Sequence, residues 1–121
     1  MAHTSKTLTF GHAQSADIRI TGYAVDINKT TFSYTLGDTP IMLRFRGYAF
    51  PENLTYVFAS AILTAYKLTI PMDVIRTNLE KNFVPPRGRE SILAGINNSI
   101  IIDSSYSASK PSVLSFLELI A

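Results

Sequence analysis

The chain has 121 residues, 46% of them hydrophobic, with 11 Lys and Arg against 9 Asp and Glu and no cysteine. That length suits one domain with an ordinary core, and that apolar content excludes a disordered chain. The net charge of +2 is spread without a basic cluster to grip a phosphate backbone, so no nucleic-acid partner is expected, and the missing thiols exclude disulfides and thiolate zinc sites.

The N-terminal segment carries His3 and His12, neither within a metal-ligand spacing. Residues 1 to 13 lack the apolar centre of a signal peptide, and no stretch reaches the ~20 apolar residues of a membrane span. A soluble, cytoplasmic protein without a membrane partner is expected. Short β-branched and aromatic runs then follow: Asp17 to Ile20, Tyr23 to Ile27, Thr31 to Leu36 and Ile41 to Phe45. Turn residues separate them at Thr21-Gly22, Asn28-Lys29 and Gly37-Asp38. The pattern predicts an antiparallel β-meander with Phe32, Tyr34 and Leu36 on one face and Thr31, Ser33 and Thr35 on the other.

After Gly47 the period changes to that of a helix, opening just after Pro51, with Leu54, Val57, Phe58, Ala61, Ala65 and Leu68 as its apolar stripe. A second helix is predicted from about Pro71, with Met72, Ile75 and Leu79 inward and Glu80-Lys81 toward solvent, stopped by Pro85-Pro86. Glu90 to Leu93 and Ser99 to Ile102 read as two strands joined across Gly95 and Asn97-Asn98. Pro111 opens a last helix carrying Val113, Leu114, Leu117 and Ile120. The fold class is therefore α/β: an antiparallel β-meander, two helices, then the strand-helix start of a Rossmann-like lobe. A strand with one helix is half of a βαβ unit, and its uncovered edge and helix face suggest a chain cut at its C-terminal end and capable of self-association.

Three stretches carry a resemblance: Gly47 to Asn53, Pro85-Pro86-Arg87-Gly88-Arg89, and Ile100 to Ser112. In this order and at these separations they resemble the Mur ligase family, whose members carry a "G-x-H-N-x-x-N" helix start, a "P-x-G-R" turn and an "I-D-D-S-Y-N-A-N-P-x-S" strand-to-helix turn. The upstream "LTFGHAQSADIRITGY" is similar to the family's Phe-Gly and Ala-Asp-Ile strands, so the likeness runs from about Leu8 to Ala121. It is strongest toward the branch that adds D-alanyl-D-alanine to a UDP-muramoyl-tripeptide in peptidoglycan precursor synthesis.

The resemblance implies that residues 1–84 are the C-terminal part of a central ATP-binding domain, and 85–121 the hinge and first strand-helix unit of a C-terminal ligase domain. It implies ATP and Mg2+ as cofactors, and phosphorylation of a substrate carboxylate to an acyl phosphate that an amine attacks. The family's glycine-rich phosphate loop has no counterpart here, since no G-x-x-x-x-G-K-S/T occurs. The implied chain is an inactive fragment whose partner is the missing upstream domain, alongside nucleotide and UDP-muramoyl-peptide. Two alternatives stand beside it: a non-catalytic interaction module, and a fragment of a folylpolyglutamate synthase-like ligase.

Carried over residue by residue, the resemblance implies a nucleotide site of Asn53, Arg89, Asp103 and Ser104, with no catalytic or metal-binding residue. Asn53 falls on the motif's second Asn, which faces adenine, and Arg89 on the Arg that contacts nucleotide from the hinge. Asp103 matches the first acid of its motif. Ser104 replaces the second, which approaches the ribose, and Ser107 replaces an Asn. Ala49-Phe50 stand where the family has His-Asn. Without the resemblance, Asn53 reads as a cap or solvent residue and Arg89 as a surface charge. Asp103, Ser104 and Ser105 read as a strand end or helix cap, and Glu52, Glu80 and Glu90 as solvated charges.

Overall fold

The computed structural model describes residues 7–89, 91–106 and 108–121. The readings placed on His3, Glu90 and Ser107 lie outside the described residues. The strands are β1 (Phe10–Gly11), β2 (Ile18–Val25), β3 (Lys29–Leu36), β4 (Thr39–Arg46), β5 (Ser91–Ala94) and β6 (Ile100–Asp103). The helices are α1 (Leu54–Lys67), α2 (Met72–Asn82) and α3 (Lys110–Ile120). Among the described residues, no helix is long and apolar enough to cross a membrane.

The first sheet has the order β1-β2-β3-β4, with β2, β3 and β4 antiparallel in sequence order, and is therefore the meander that the alternating runs predict. Gly37, at a φ of 59°, makes the two-residue connection between Leu36 and Thr39. The separator expected at Thr21-Gly22 is instead a bulge. β2 runs unbroken through it, and its register against β3 shifts between Ile20 and Gly22. The two residues of β1 pair parallel to β2, an addition too short for any sequence period to reveal.

One face of this sheet is apolar because alternate residues point the same way. Ile18 and Ile20 from β2, Phe32 and Tyr34 from β3, and Ile41, Leu43 and Phe45 from β4 are all buried. α1 covers that face with Thr55, Phe58, Ala59, Ile62 and Leu63. The stripe expected from Leu54 to Leu68 is rotated relative to this set: Val57 and Leu68 are exposed, and only Phe58 is shared among the fully buried positions. The helix is apolar on several sides, so its phase is set by ring packing. Phe58 stacks on Phe45 at 4.6 Å between centroids and meets Phe32 at 5.3 Å. α2 buries Ile75 and leans Met72 and Leu79 on the same core, as its pattern predicts. Glu80 departs from a purely solvent role, since it accepts the Arg44 backbone N–H of edge strand β4 at 3.3 Å.

β5 and β6 form a separate antiparallel pair, joined by a 3-10 turn at Ile96–Asn98. It is tied to the first sheet where Tyr48 bridges Ser91 and the Ile92 N–H donates to the Gly47 carbonyl at 3.0 Å. α3 turns Ser115, Phe116 and Leu119 toward the body, whereas Val113, Leu114, Leu117 and Ile120 are exposed.

Candidate functional site

The site begins with the short segment from β4 to α1, which is held by hydrogen bonds at Gly47, Tyr48 and Phe50. Thr30, fully buried on β3, uses its hydroxyl twice: it donates to the Tyr48 carbonyl at 2.8 Å and accepts the Phe50 N–H at 2.8 Å. The Tyr23 hydroxyl donates to the Phe50 carbonyl at 2.6 Å. Burial, with Glu52 nearby, pushes that hydroxyl up to about 12 and keeps it a donor at neutral pH. Ala49 and Phe50 are buried, with Phe50 stacked on Tyr48 at 5.1 Å and set against the Phe45 edge. Chain direction into α1 is thereby fixed by core groups.

Asn53 sits at the N-cap position of α1, yet its side chain makes no capping bond. The first turn is closed instead by backbone bonds to Pro51 and Glu52 and by the Thr55 hydroxyl donating to the Glu52 carbonyl at 2.5 Å. The exposed Asn53 amide is left with its donor and acceptor directed away from helix capping.

The second side comes from the connection between α2 and β5. After α2, Phe83 lays its ring on the edge of the core aromatics, 5.3 Å from Phe58 and 6.1 Å from Phe50, and the double proline then leads into Gly88. Gly88 has a φ of 77° and a carbonyl that accepts the Tyr106 N–H at 3.0 Å. Arg89 places its guanidinium carbon 4.5 Å from the centre of the Tyr106 ring. Its Nε is buried and finds no hydrogen-bond partner among the described residues.

The third side is the turn after β6. Asp103 accepts the Ser105 N–H at 3.1 Å and the Ser105 hydroxyl at 2.7 Å, an Asx turn that ends the strand. Ser109 and Ser112 form a reciprocal capping box at the start of α3, with Pro111 in its first turn.

These three sides enclose a cleft of ≈ 510 Å³ whose walls include Phe50, Asn53, Phe83, Arg89, Ser112 and Phe116. A second cleft of ≈ 480 Å³ lies across Asn53, lined by His12, Tyr23, Glu52, Tyr56 and Glu118 among others. Asn53 and Arg89 therefore meet on one cleft, although they come from different motifs. Asp103 and the half-buried Ser104 line neither of these two clefts, and Asp103 uses one carboxylate oxygen, Oδ1, in the turn. Sequence reasoning passed over Tyr106 as a partner for Arg89 and over His12, Tyr56 and Glu118 as cleft walls, because no local spacing reports contacts between distant elements.

No protein-family description matches the chain, and no curated protein sequence matches it. Solved structures do. A crystal structure of MurF from Acinetobacter baumannii superposes with a TM-score of 0.73 at 18% identity, over 93% of this chain and 23% of that one. The MurF ligase from Thermotoga maritima, solved in complex with ADP, gives 0.71 at 19% identity, over 93% and 25%. A UDP-N-acetylmuramoylalanyl-D-glutamyl-2,6-diaminopimelate–D-alanyl-D-alanyl ligase from Acinetobacter baumannii gives 0.72 at 17% identity, over 93% and 24%. The chain spans about a quarter of the length of these structures. At such identities the likeness is one of architecture, and the fold of this chain is that of a segment of the Mur ligases, MurF among them.

Proposed function

We propose that this chain carries the nucleotide-facing hinge of an ATP-dependent amide-bond-forming ligase of the Mur type, acting in the addition of D-alanyl-D-alanine to a UDP-muramoyl-tripeptide. The observation that carries this reading is the cleft on which Asn53 and Arg89 meet. An amide free of helix capping and an arginine lining the same cleft fit the base and phosphate ends of a nucleotide. That one structural relative was solved with ADP is consistent with it. On this reading residues 1–84 belong to the ATP-binding domain and 85–121 begin the ligase domain.

In such a ligase, ATP supplies the phosphoryl group that activates the substrate carboxylate. The residues here suit only part of that task. Asn53 orients the base, Arg89 meets phosphate charge, and Phe50, Phe83 and Phe116 give the cleft apolar walls. Among the described residues, no group of three or more His, Asp or Glu gathers to hold a divalent ion. The sequence also lacks the glycine-lysine loop that clamps a transferring phosphate. Catalysis on this reading needs a further segment, in the same polypeptide or on a partner, and the exposed side of α3 is available to contact it.

The test is direct. ADP titrated into the chain should bind weakly, and Asn53→Ala and Arg89→Ala should each weaken binding further. The same chain given ATP, magnesium, a muramoyl-tripeptide nucleotide and D-alanyl-D-alanine should release no phosphate. Release that survives repurification and vanishes in Arg89→Ala would overturn the division of labour. A second reading, a non-catalytic binding module, is favoured by one observation: Ala49 and Phe50, where Mur ligases carry His and Asn, are core residues here. It gains if ADP fails to bind.

A further inference from the structure

We infer that Tyr106 is a positioning residue that holds the Arg89 guanidinium while leaving its charge for an anionic ligand, an inference that rests on the nucleotide reading above. The partner that Arg89 has among the described residues is an aromatic face at 4.5 Å. A carboxylate in that place would fix the side chain equally well, but would also neutralise it and occupy its in-plane donors. A ring holds the cation by its flat face, through the quadrupole, and with Nε buried it is the terminal Nη groups that are left for a phosphate.

The ring is itself located by backbone. The Tyr106 N–H donates to the Gly88 carbonyl, one residue before Arg89, so stack and hydrogen bond form one clasp between the hinge and the β6–α3 turn. The approach is close enough that a Cβ on Gly88 would stand 2.8 Å from the Tyr106 nitrogen and 2.9 Å from the Ser105 hydroxyl. Asp103 holds Ser105 in its turn by two hydrogen bonds. The small polar residues of Asp103 to Ser105 thus build the platform under Arg89 and need not touch ligand themselves.

The experiment uses the full chain and its Tyr106→Phe, Tyr106→Leu and Arg89→Ala variants, followed by NMR of the arginine side-chain Nε–H signals with ADP as the titrant. Arg89→Ala assigns the Arg89 signal. In the absence of ADP, ring-current shifting of that signal should be present in the parent and in Tyr106→Phe, and lost in Tyr106→Leu. The ADP dissociation constant should rise about two- to five-fold in Tyr106→Leu, the loss expected for a partly exposed cation–π contact, and return to the parental value in Tyr106→Phe. An unshifted Arg89 signal in the parent overturns the inference whatever ADP does. A shifted signal with equal ADP affinity in all three Tyr106 forms overturns it too, while sparing the nucleotide reading. A shifted signal with no ADP binding at all removes the nucleotide reading and this inference with it.

Discussion

Thr30 is the residue whose loss most cleanly tests how the core holds the site. Its side chain is fully buried, and its single hydroxyl satisfies the Phe50 N–H and the Tyr48 carbonyl, both at 2.8 Å. Thr30→Val keeps shape and volume while removing both bonds. The buried Phe50 N–H is then orphaned at about 1–3 kcal/mol, and the carbonyl of half-buried Tyr48 loses its donor for about 1 more. The expected loss is about 2–4 kcal/mol, a large share of the ~5–15 that holds a domain of this size together. Thr30→Ser restores both bonds and gives up one methyl group, about 1 kcal/mol. Urea unfolding at neutral pH should place Val well below Ser and Ser just below the parent, at constant m-value. Amide exchange at Phe50 should quicken in Thr30→Val alone. A Val variant within about 0.5 kcal/mol of the parent, or a Ser variant as unstable as Val, would refute the claim that this hydroxyl fastens the β4–α1 segment.

Gly88→Ala should destabilise the α2–β5 connection by about 1–3 kcal/mol, because Gly88 sits at positive φ and the new methyl would meet Tyr106 and Ser105. Hydrogen exchange should then rise at the Tyr106 amide while the β3 amides stay protected; equal protection throughout would refute the close packing. The Tyr23 hydroxyl, pushed up from 10.0 to about 12 by burial and Glu52, holds its proton more tightly folded than unfolded. Its contribution is therefore complete below pH 10 and lost as pH rises toward about 12, so stability should fall across that window and fall less in Tyr23→Phe. Phenolate absorbance beside alkaline denaturation curves checks this, and identical alkaline slopes for the two proteins would remove Tyr23 from the account.

The meander was legible because β3 and the Leu43-to-Arg46 end of β4 alternate apolar with polar residues, and because Gly37-Asp38 suits a tight turn between them. The phase of α1 was not. A helix reading Leu-Thr-Tyr-Val-Phe-Ala-Ser-Ala-Ile-Leu offers several apolar faces, and only the ring cluster of Phe32, Phe45 and Phe58 chooses between them. The same ambiguity hid the inward side of α3, where Ser115 and Phe116 face the body and the more regular aliphatic row does not. At Thr21-Gly22 the residue types fit a turn and a bulge equally well, and pairing with β3 made the difference.

The site divides along the same line. Asn53 and Arg89 are named by the resemblance to Mur ligase motifs, and the structure brings both to one cleft, but the motifs carry no information on what holds them. For Asn53 the support is the Thr30 and Tyr23 hydroxyls acting on Phe50, and for Arg89 it is the Tyr106 ring fixed to Gly88. The same geometry gives physical meaning to the departures at Ala49 and Phe50. Phe50 completes an aromatic core running from Tyr48 to Phe83, so a polar group there would be buried among rings with its hydrogen bonds unmet, while Ala49 is buried beside aliphatic residues that include Val25, Ile92 and Ile102. Phe50 gives the cleft an apolar wall, and Ala49 does not line it. On this side of the cleft Asn53 is the first exposed side-chain amide after Phe50.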